Sequence, residues 1–569
     1  MQRSDFLKRE CELAAERSSK YWGTASINLN IFTFPSVEDK ENVEILADLF
    51  KDDFQGLNPA YHIPAKISKQ ELEAALEVSR IPLHKLLEGP DPDKGYPEVK
   101  FPTGFRLQCL RGRSRAEAAK KVLPQRARRW VVDLFHPDID PALETTLIEE
   151  YSAEKDPDDG EFYCKIRQYQ GYMGPAYPFL KKRWMARLKY IKATKADNFK
   201  RIFRDPDFRA QFDIQVDIPG LRTGMKLGVI HKMYGYNIRD LCLNYLGLIR
   251  FVFAEKLCEN DPYIMRRFDP STVKAVEGTA PGSCQRDREE LYTKLLRGEI
   301  FGEFNEQERE VIWNRLLSVS TNRLIPSLFT FFEDLNYLKG PLGSMRRLVQ
   351  PSPRETLNSA LLRIYEGINQ EPGYVKIQES DSTITLVPRP EADRADLGIQ
   401  QMWMLAMRDW VDIPPQRKKA DSILRENPTY KESPKVLYEL ATLTFQSGFC
   451  SNQIREILQT SPEDTIARNA LLKARPSEGF AYADFNSCKR LICSCFQTAT
   501  EISTEDIIST AELNNVVKSP TRWGKPSATE RKQTKPLLFT DKLHCKENLD
   551  EVTPYFVRRS VYLAFFEMP

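Results

Sequence analysis

Histidine is scarce in this chain, with 5 in 569 residues, and none stands in an HExxH arrangement. Zinc-protease chemistry built on paired helical histidines therefore has no foothold. Long apolar runs are missing too. No stretch of about 18 apolar residues occurs, which excludes a transmembrane helix and predicts no membrane partner. The opening residues, Met1-Gln-Arg-Ser-Asp-Phe-Leu-Lys-Arg-Glu10, lack the apolar core of a secretory signal. An excess of either charge is also absent. Lys+Arg 83 against Asp+Glu 80 leaves a net charge of +3. The whole chain thus predicts nothing about nucleic acid, and only local patches speak to it. No repeat at a fixed period is present.

The 11 cysteines are scattered and odd in number. A chain this long folds without staples, so reduced thiols of the cytosol or nucleus are expected. Cys488, Cys493 and Cys495 are spaced C-x4-C-x-C, with only His544 or Cys545 at a distance. Structural zinc uses paired short spacings, so buried free thiols are expected and no metal is assigned.

What is present suffices for buried cores: 41% hydrophobic and 11% aromatic residues. The length predicts about two to four domains. Residues 1–41 form an N-terminal extension without clear signal. Residues 42–150 read as an α/β domain, and 151–350 as a helical domain carrying a basic helix. Residues 351–497 are mixed and mostly helical, 498–535 a flexible linker, and 536–569 a C-terminal segment. The predicted class is α+β.

Local chemistry is richest between 105 and 135. Phe105, Leu107 and Cys109 alternate with polar residues, as in a strand. Gly112 follows, then a helix on which Ala116, Ala119 and Val122 recur, ended by Pro124. Trp130 to Phe135 is the next strand, apolar except Asp133. A helix N-terminus carries unpaired N–H groups and binds anions. Gly112 admits a phosphate, and Arg111, Arg113 and Arg115 add charge-assisted bonds. A solvated cationic helix packed by its alanines accounts for the same residues.

Three features together resemble the ParB/sulfiredoxin-like domain. They are Asn58-Pro59, the capping box Ser68–Glu71 opening a helix over 68–79, and the strand-Gly112-Arg-Ser-Arg-Ala-Glu-Ala-Ala119 helix. The resemblance implies that Gly112, Arg113, Ser114 and Arg115 contact the phosphates of a nucleoside triphosphate, Arg115 foremost. Two departures narrow it. Arg113 stands where sulfiredoxins have their reactive cysteine and hydrolytic ParB proteins their glutamate, which argues against both chemistries.

A wider resemblance runs from about 42 to 348, more weakly to about 410, with a fungal family of unknown function. That family occurs in the cargo of giant Starship transposons and in subtelomeric clusters. Its blocks here are His62-Ile-Pro-Ala-Lys-Ile67 with Leu72, Leu110–Ala119, Trp130–Leu134, Gly160–Gln170, Lys182-Arg-Trp184, Ile218–Gly228 and Ile325–Leu335. The family box usually has His where this chain has Ser114. The resemblance implies a nuclear regulatory protein associated with nucleic acid or chromatin. It would govern genes of a mobile or subtelomeric cluster, of the kind tied to hypoxic growth and colony or biofilm morphology.

The stretch 181–209 is the most basic, with eleven Lys/Arg against three Asp. Lys181, Lys182, Arg183, Arg187, Lys189 and Lys192 surround Trp184, Leu188 and Ile191, which share one helical face. Such a helix is a plain amphipathic element, a phosphate-binding face or a nuclear-import signal. Lys120, Lys121, Arg126, Arg128 and Arg129 form a second import signal. DNA or chromatin and an import receptor are thus the expected partners, and the nucleus the expected location. Two other readings stand beside this one. In the first, an enzyme hydrolyses nucleotide or nucleic acid at the glycine-arginine turn, with Asp133 as the nearest carboxylate. In the second, a non-catalytic scaffold binds an acidic partner. Glu333-Asp334 is either an acid/base pair or part of a helix docking into a core. His231 reads as a helix-face residue, and Gly220–Gly228 lacks the GxxxxGK[ST] order of a P-loop.

Overall fold

The computed structural model describes residues 3–35, 40–52, 56–91, 95–149, 157–352, 355–368, 370–380, 383–410, 434–499, 522, 530, 534–543 and 549–567. Most of the expected linker over 498–535 lies outside the described residues. The fold is α+β, a five-stranded mixed sheet with helices followed by a mainly helical region.

The sheet runs β1 (Tyr21–Asn28), β5 (Arg129–Phe135), β3 (Ile63–Lys66), β4 (Leu107–Cys109), β2 (Phe32–Thr33). β1 is antiparallel to β5, β3 parallel to β5 and antiparallel to β4, and β2 parallel to β4. Side chains alternate across a strand. Trp130, Val132 and Leu134 of β5 join Ala25, Ile27, Ile63, Ala65, Leu107 and Cys109 in one apolar core. Two helices close this face: α3 (Lys69–Ser79) through Leu72, Ala75 and Leu76, and α4 (Arg113–Val122) through Ala116 and Ala119. The predicted capping box forms, with the Ser68 hydroxyl accepting from the Glu71 amide and the Glu71 carboxylate accepting from Ser68 N–H.

The segment expected to be featureless is not. Residues 3–33 supply helix α1 (Arg3–Lys20), β1 and β2. β1 is rich in small and polar residues, and its order comes from pairing with β5 along its length. It fills the edge that β5 alone would leave open.

Helix α2 (Lys40–Asp52) lies against α4 through Val43, Ala47 and Ala118. Helix α5 (Pro141–Glu149) leads into the helical region, which begins with α6 (Asp159–Tyr169), α7 (Pro178–Ile191), α8 (Ala193–Arg204) and α9 (Pro206–Val216). A large core unites Phe135, Leu143 and Leu147 with Phe212, Tyr245, Phe331, Trp403 and Phe565. The helix Pro554–Phe566 is buried from Pro554 through Phe565, including its arginines; Arg558 donates to Thr534 Oγ1 at 2.7 Å and to Tyr337 Oη at 3.0 Å. The Phe565 carbonyl accepts from Asn244 Nδ2 at 3.0 Å, and Tyr562 O–H donates to the Gln400 carbonyl at 2.9 Å. Within the mixed stretch 351–497, Ile384–Pro388 is a strand paired antiparallel with Tyr374–Gln378. Among the described residues no helix is long and apolar enough to cross a membrane.

Candidate functional site

α4 opens at Gly112, whose φ of 92° is left-handed and whose position offers no side-chain cap. The first-turn amides therefore receive no capping oxygen from it. A Cβ at Gly112 would stand 2.7 Å from Cγ1 of Ile63. The glycine is thus demanded by conformation and by the contact with β3, before any ligand is considered.

The arginines of this turn have separate tasks. Arg115 is buried, its guanidinium 5.2 Å from the Tyr61 ring centre. Its Nη1 donates to the Tyr61 carbonyl at 3.4 Å, and Trp130 Nε1 donates to the same oxygen at 3.0 Å. Arg115 holds the approach to β3 rather than standing open above the turn. Arg113 reaches the helical region, with Nη2 3.3 Å from Glu303 Oε1. The Glu303 carbonyl in turn accepts from Arg267 Nε at 3.1 Å. Arg267 also grips the Glu308 carboxylate at 2.8 and 2.7 Å. The turn thus lies where the two regions meet. Gly112, Arg113 and half-buried Ser114 share the helix end, while Arg115 is turned into the fold.

Asp133 does not join them. Val132 and Leu134 point to the core that α4 covers, so Asp133 points to the opposite face of the sheet. There its Oδ1 accepts from Thr24 Oγ1 at 2.6 Å and lies 3.0 Å from His62 Nδ1. Tyr21 bonds to the Thr24 hydroxyl, and Tyr96 meets the His62 ring edge-on at 5.1 Å. Burial raises the Tyr21 and Tyr96 phenols above their ordinary values, and the Asp133 charge adds to both. His62 is buried, and its Nε2 has no hydrogen-bond partner among the described residues. The sequence reading placed His62 in a shared block without giving it this carboxylate. No local pattern reveals the pair, which forms only because β3 and β5 lie in register, with Pro64, two residues after His62, opposite Asp133.

The basic helix α7 buries Phe179, Leu180, Trp184 and Leu188. Trp184 donates its Nε1–H to the buried carboxylate of Glu149, which also lies 3.3 Å from Lys165. Burial is the main cause that raises the Glu149 carboxyl above its ordinary value. Ile191, expected on the buried face, is 44% exposed, because the helix ends there and Lys192 turns extended. Two of the cations lie over aromatic rings. Lys181 lies 5.6 Å from the Phe203 ring, and Arg187 lies 5.7 Å from that of Trp184. Lys182, Arg183, Lys189 and Lys192 are exposed, with Tyr190 among them at 92% exposure.

The second cluster is folded differently. Lys120 pairs with Glu117 at 2.8 Å, Lys121 with Glu44, and Arg129 with Glu98 at 2.8 Å. Arg128 donates to the Leu123 carbonyl at 3.3 Å, and Arg126 is exposed. These five cations are spread over a helix end, a 3-10 turn and a strand.

The remaining residues singled out from sequence separate in space. Asp334 is buried and accepts from Tyr245 O–H at 2.7 Å, whereas Glu333 pairs with Lys226. They do not form an acid/base pair. His231 is exposed and lies 3.1 Å from the Gly228 carbonyl. Cys488 and Cys493 are half-buried and Cys495 is exposed, contrary to the expectation of burial. Their helix, Phe485–Thr498, packs only its near side against Pro462–Ala474 and buries no residue fully. Among the described residues no group of three His, Cys, Asp or Glu could hold a metal.

A model described as the central domain of a protein of unknown function (DUF3723) matches residues 159–569. The N-terminal domain of the same family matches residues 20–153. No curated protein and no solved structure matches the chain.

Proposed function

We propose, for a chain that belongs to the DUF3723 family of proteins of unknown function, that it is a nuclear regulatory protein that associates with nucleic acid through α7. One observation carries this reading. Lys182, Arg183, Lys189 and Lys192 are exposed on a stretch, 178–192, that contains no Asp or Glu. Cations without acidic neighbours on their own helix present a local positive field despite a net charge of only +3. Helix α8 adds exposed Arg201 and Arg204, while its Lys200 is paired with Asp197 at 3.1 Å. Such a surface contacts phosphates and releases counterions, so it binds without reading sequence.

The glycine-arginine turn is the second anion site in this proposal. The resemblance to ParB-like domains suggests a nucleoside triphosphate there. The first-turn amides of α4, Ser114 and Arg113 would hold the phosphates, and the phosphate would compete with Glu303 for Arg113. Arg115 would shape the turn from behind. The role is binding rather than hydrolysis, since Asp133 and His62 lie on the far face of the sheet. The regulated genes, on the wider resemblance, are those of a mobile or subtelomeric cluster. An import receptor that recognises the same basic helix would account for nuclear residence.

The test is fluorescence anisotropy of labelled nucleic acid with the full chain across a salt series. Affinity should fall as salt rises. The variant Lys182→Glu/Arg183→Glu/Lys189→Glu should lower the log–log slope by about 2 to 3, one phosphate contact per cation. Binding indifferent to salt, or unchanged in the variant, overturns the proposal. Tagging the protein and finding it outside the nucleus overturns the location.

A further inference from the structure

We infer that the nucleic acid taken by α7 is single-stranded, with Tyr190 as the platform on which an unpaired base stacks. This rests on the reading of α7 as a nucleic-acid surface. Tyr190 is 92% exposed, the highest exposure of any large hydrophobic side chain among the described residues. Tyrosine ordinarily buries much of its ring, and an open one on a cationic face has an uncovered π-surface. The helix explains why it stays open. Side chains on a helix lean toward its N-terminus, over the residue four positions earlier. For Tyr190 that residue is Ala186, which is itself exposed and too short to cover the ring.

The charges are arranged around this shelf. At 3.6 residues per turn, Lys182, Arg183, Ala186, Lys189 and Tyr190 share one face. The opposite face is fixed by buried Trp184 and Leu188. Cations therefore flank the ring at the preceding residue, Lys189, and two turns toward the N-terminus, at Lys182 and Arg183, and Lys192 lies just beyond it. Duplex bases are already stacked on each other and present phosphates outward, so a duplex would use the cations and leave the ring idle. A single strand offers both backbone and base faces, and stacking on an aromatic ring tolerates any base. DNA and RNA share this chemistry, so the experiment includes both.

The full chain is titrated with labelled oligothymidylate, oligouridylate and a mixed-sequence duplex. Wild type, Tyr190→Ala, Tyr190→Phe and Lys189→Ala are compared. Tyr190→Ala should weaken both single strands by about 5- to 150-fold, the loss of one stacked base. It should leave duplex binding within about twofold, because the cations remain. Tyr190→Phe should retain single-strand binding, since the ring and not the hydroxyl stacks. Lys189→Ala should weaken all three ligands and reduce the salt slope by about one. If Tyr190→Ala changes single strand and duplex alike, or neither, the platform is refuted while the electrostatic reading of α7 stands. If no oligonucleotide binds, both fall.

Discussion

Replacing Gly112 by alanine separates a glycine kept for packing from one kept for a ligand. Two costs add at this position. A residue with a Cβ held at φ 92° costs about 1–2 kcal/mol more than glycine. The new methyl would also stand 2.7 Å from Ile63 Cγ1 and 3.0 Å from its Cδ1. Ile63 is fully buried in a central strand and has little room to yield, and such overpacking costs about 1–3 kcal/mol. The sum, about 2–5 kcal/mol, falls on the sheet and α4 rather than on the helical region. Hydrogen exchange read by mass spectrometry localises it. Amides of β3, β4 and β5 should lose protection by about thirtyfold or more, while those of the helix Arg239–Arg250 stay near wild type. A cycle with Ile63→Ala sharpens the test. Removing Cγ1 and Cδ1 leaves space for the methyl, so the steric share of the penalty should vanish and only the conformational share remain, a coupling of about 1–3 kcal/mol. Wild-type protection in Gly112→Ala, or penalties that simply add in the double variant, would refute the packing argument.

Three further outcomes are expected. Asp213 accepts from Arg167 at 2.7 and 2.6 Å and from Tyr163 O–H at 2.9 Å, all buried. Asp213→Ala should destabilise the helical region by about 3–5 kcal/mol in denaturant unfolding, and Arg167→Met/Asp213→Leu should recover most of that loss; a single variant as stable as wild type would contradict it. The bidentate Arg267 holds the Glu308 carboxyl down to about 2 from 4.5. Its folded value lies below the unfolded one, so the pair's contribution is complete above about pH 4.5 and lost as pH falls towards 2. The stability gap between wild type and Glu308→Gln should therefore close across that window, and a gap undiminished at its acid end would reject the assignment. Phe565 is fully buried with its ring 4.9 Å from that of Tyr245; Phe565→Ala should cost about 3–5 kcal/mol, and an unshifted thermal midpoint would show that the C-terminal helix is not part of the core.

Much of the fold was legible where local pattern and tertiary demand agree. The helix after Gly112, its end before Pro124 and the strand from Trp130 follow from periodicity and punctuation. The helices Arg394–Asp409, Pro434–Gln446 and Pro462–Ala474 fall in the stretch 351–497 expected to be mixed and mostly helical. β1 was not legible because Gly23, Ala25 and Asn28, which have little strand preference of their own, interrupt Tyr21, Trp22, Thr24 and Ile27. Their strand exists because β5 offers it a partner more than a hundred residues away. β3 lies within residues 58–67, whose two prolines mark extended chain; the Pro64 carbonyl accepts from Leu110 N–H at 2.8 Å, and the proline ring sacrifices only a donor.

The candidate site divides along the same line. Residue types told which side chains carry charge, but not what each one meets. Arg113 and Arg115 look equivalent in sequence, two apart on one basic helix. The fold sends Arg115 inward to Tyr61 and Arg113 outward to Glu303, a partner 190 positions away. His62 and Asp133 are likewise silent until β3 and β5 lie side by side. On α7 the outer face follows from the sequence: the alternation of Trp184 and Leu188 with Lys182, Arg183 and Lys189 already implied it. What the fold adds there is Tyr190, left standing in water beside Ala186 on a helix that carries no Asp or Glu. On the proposal that α7 takes nucleic acid, an aromatic ring exposed among cations suits a partner that brings both phosphate and an open base, and that pairing makes α7 the part of the molecule to test first.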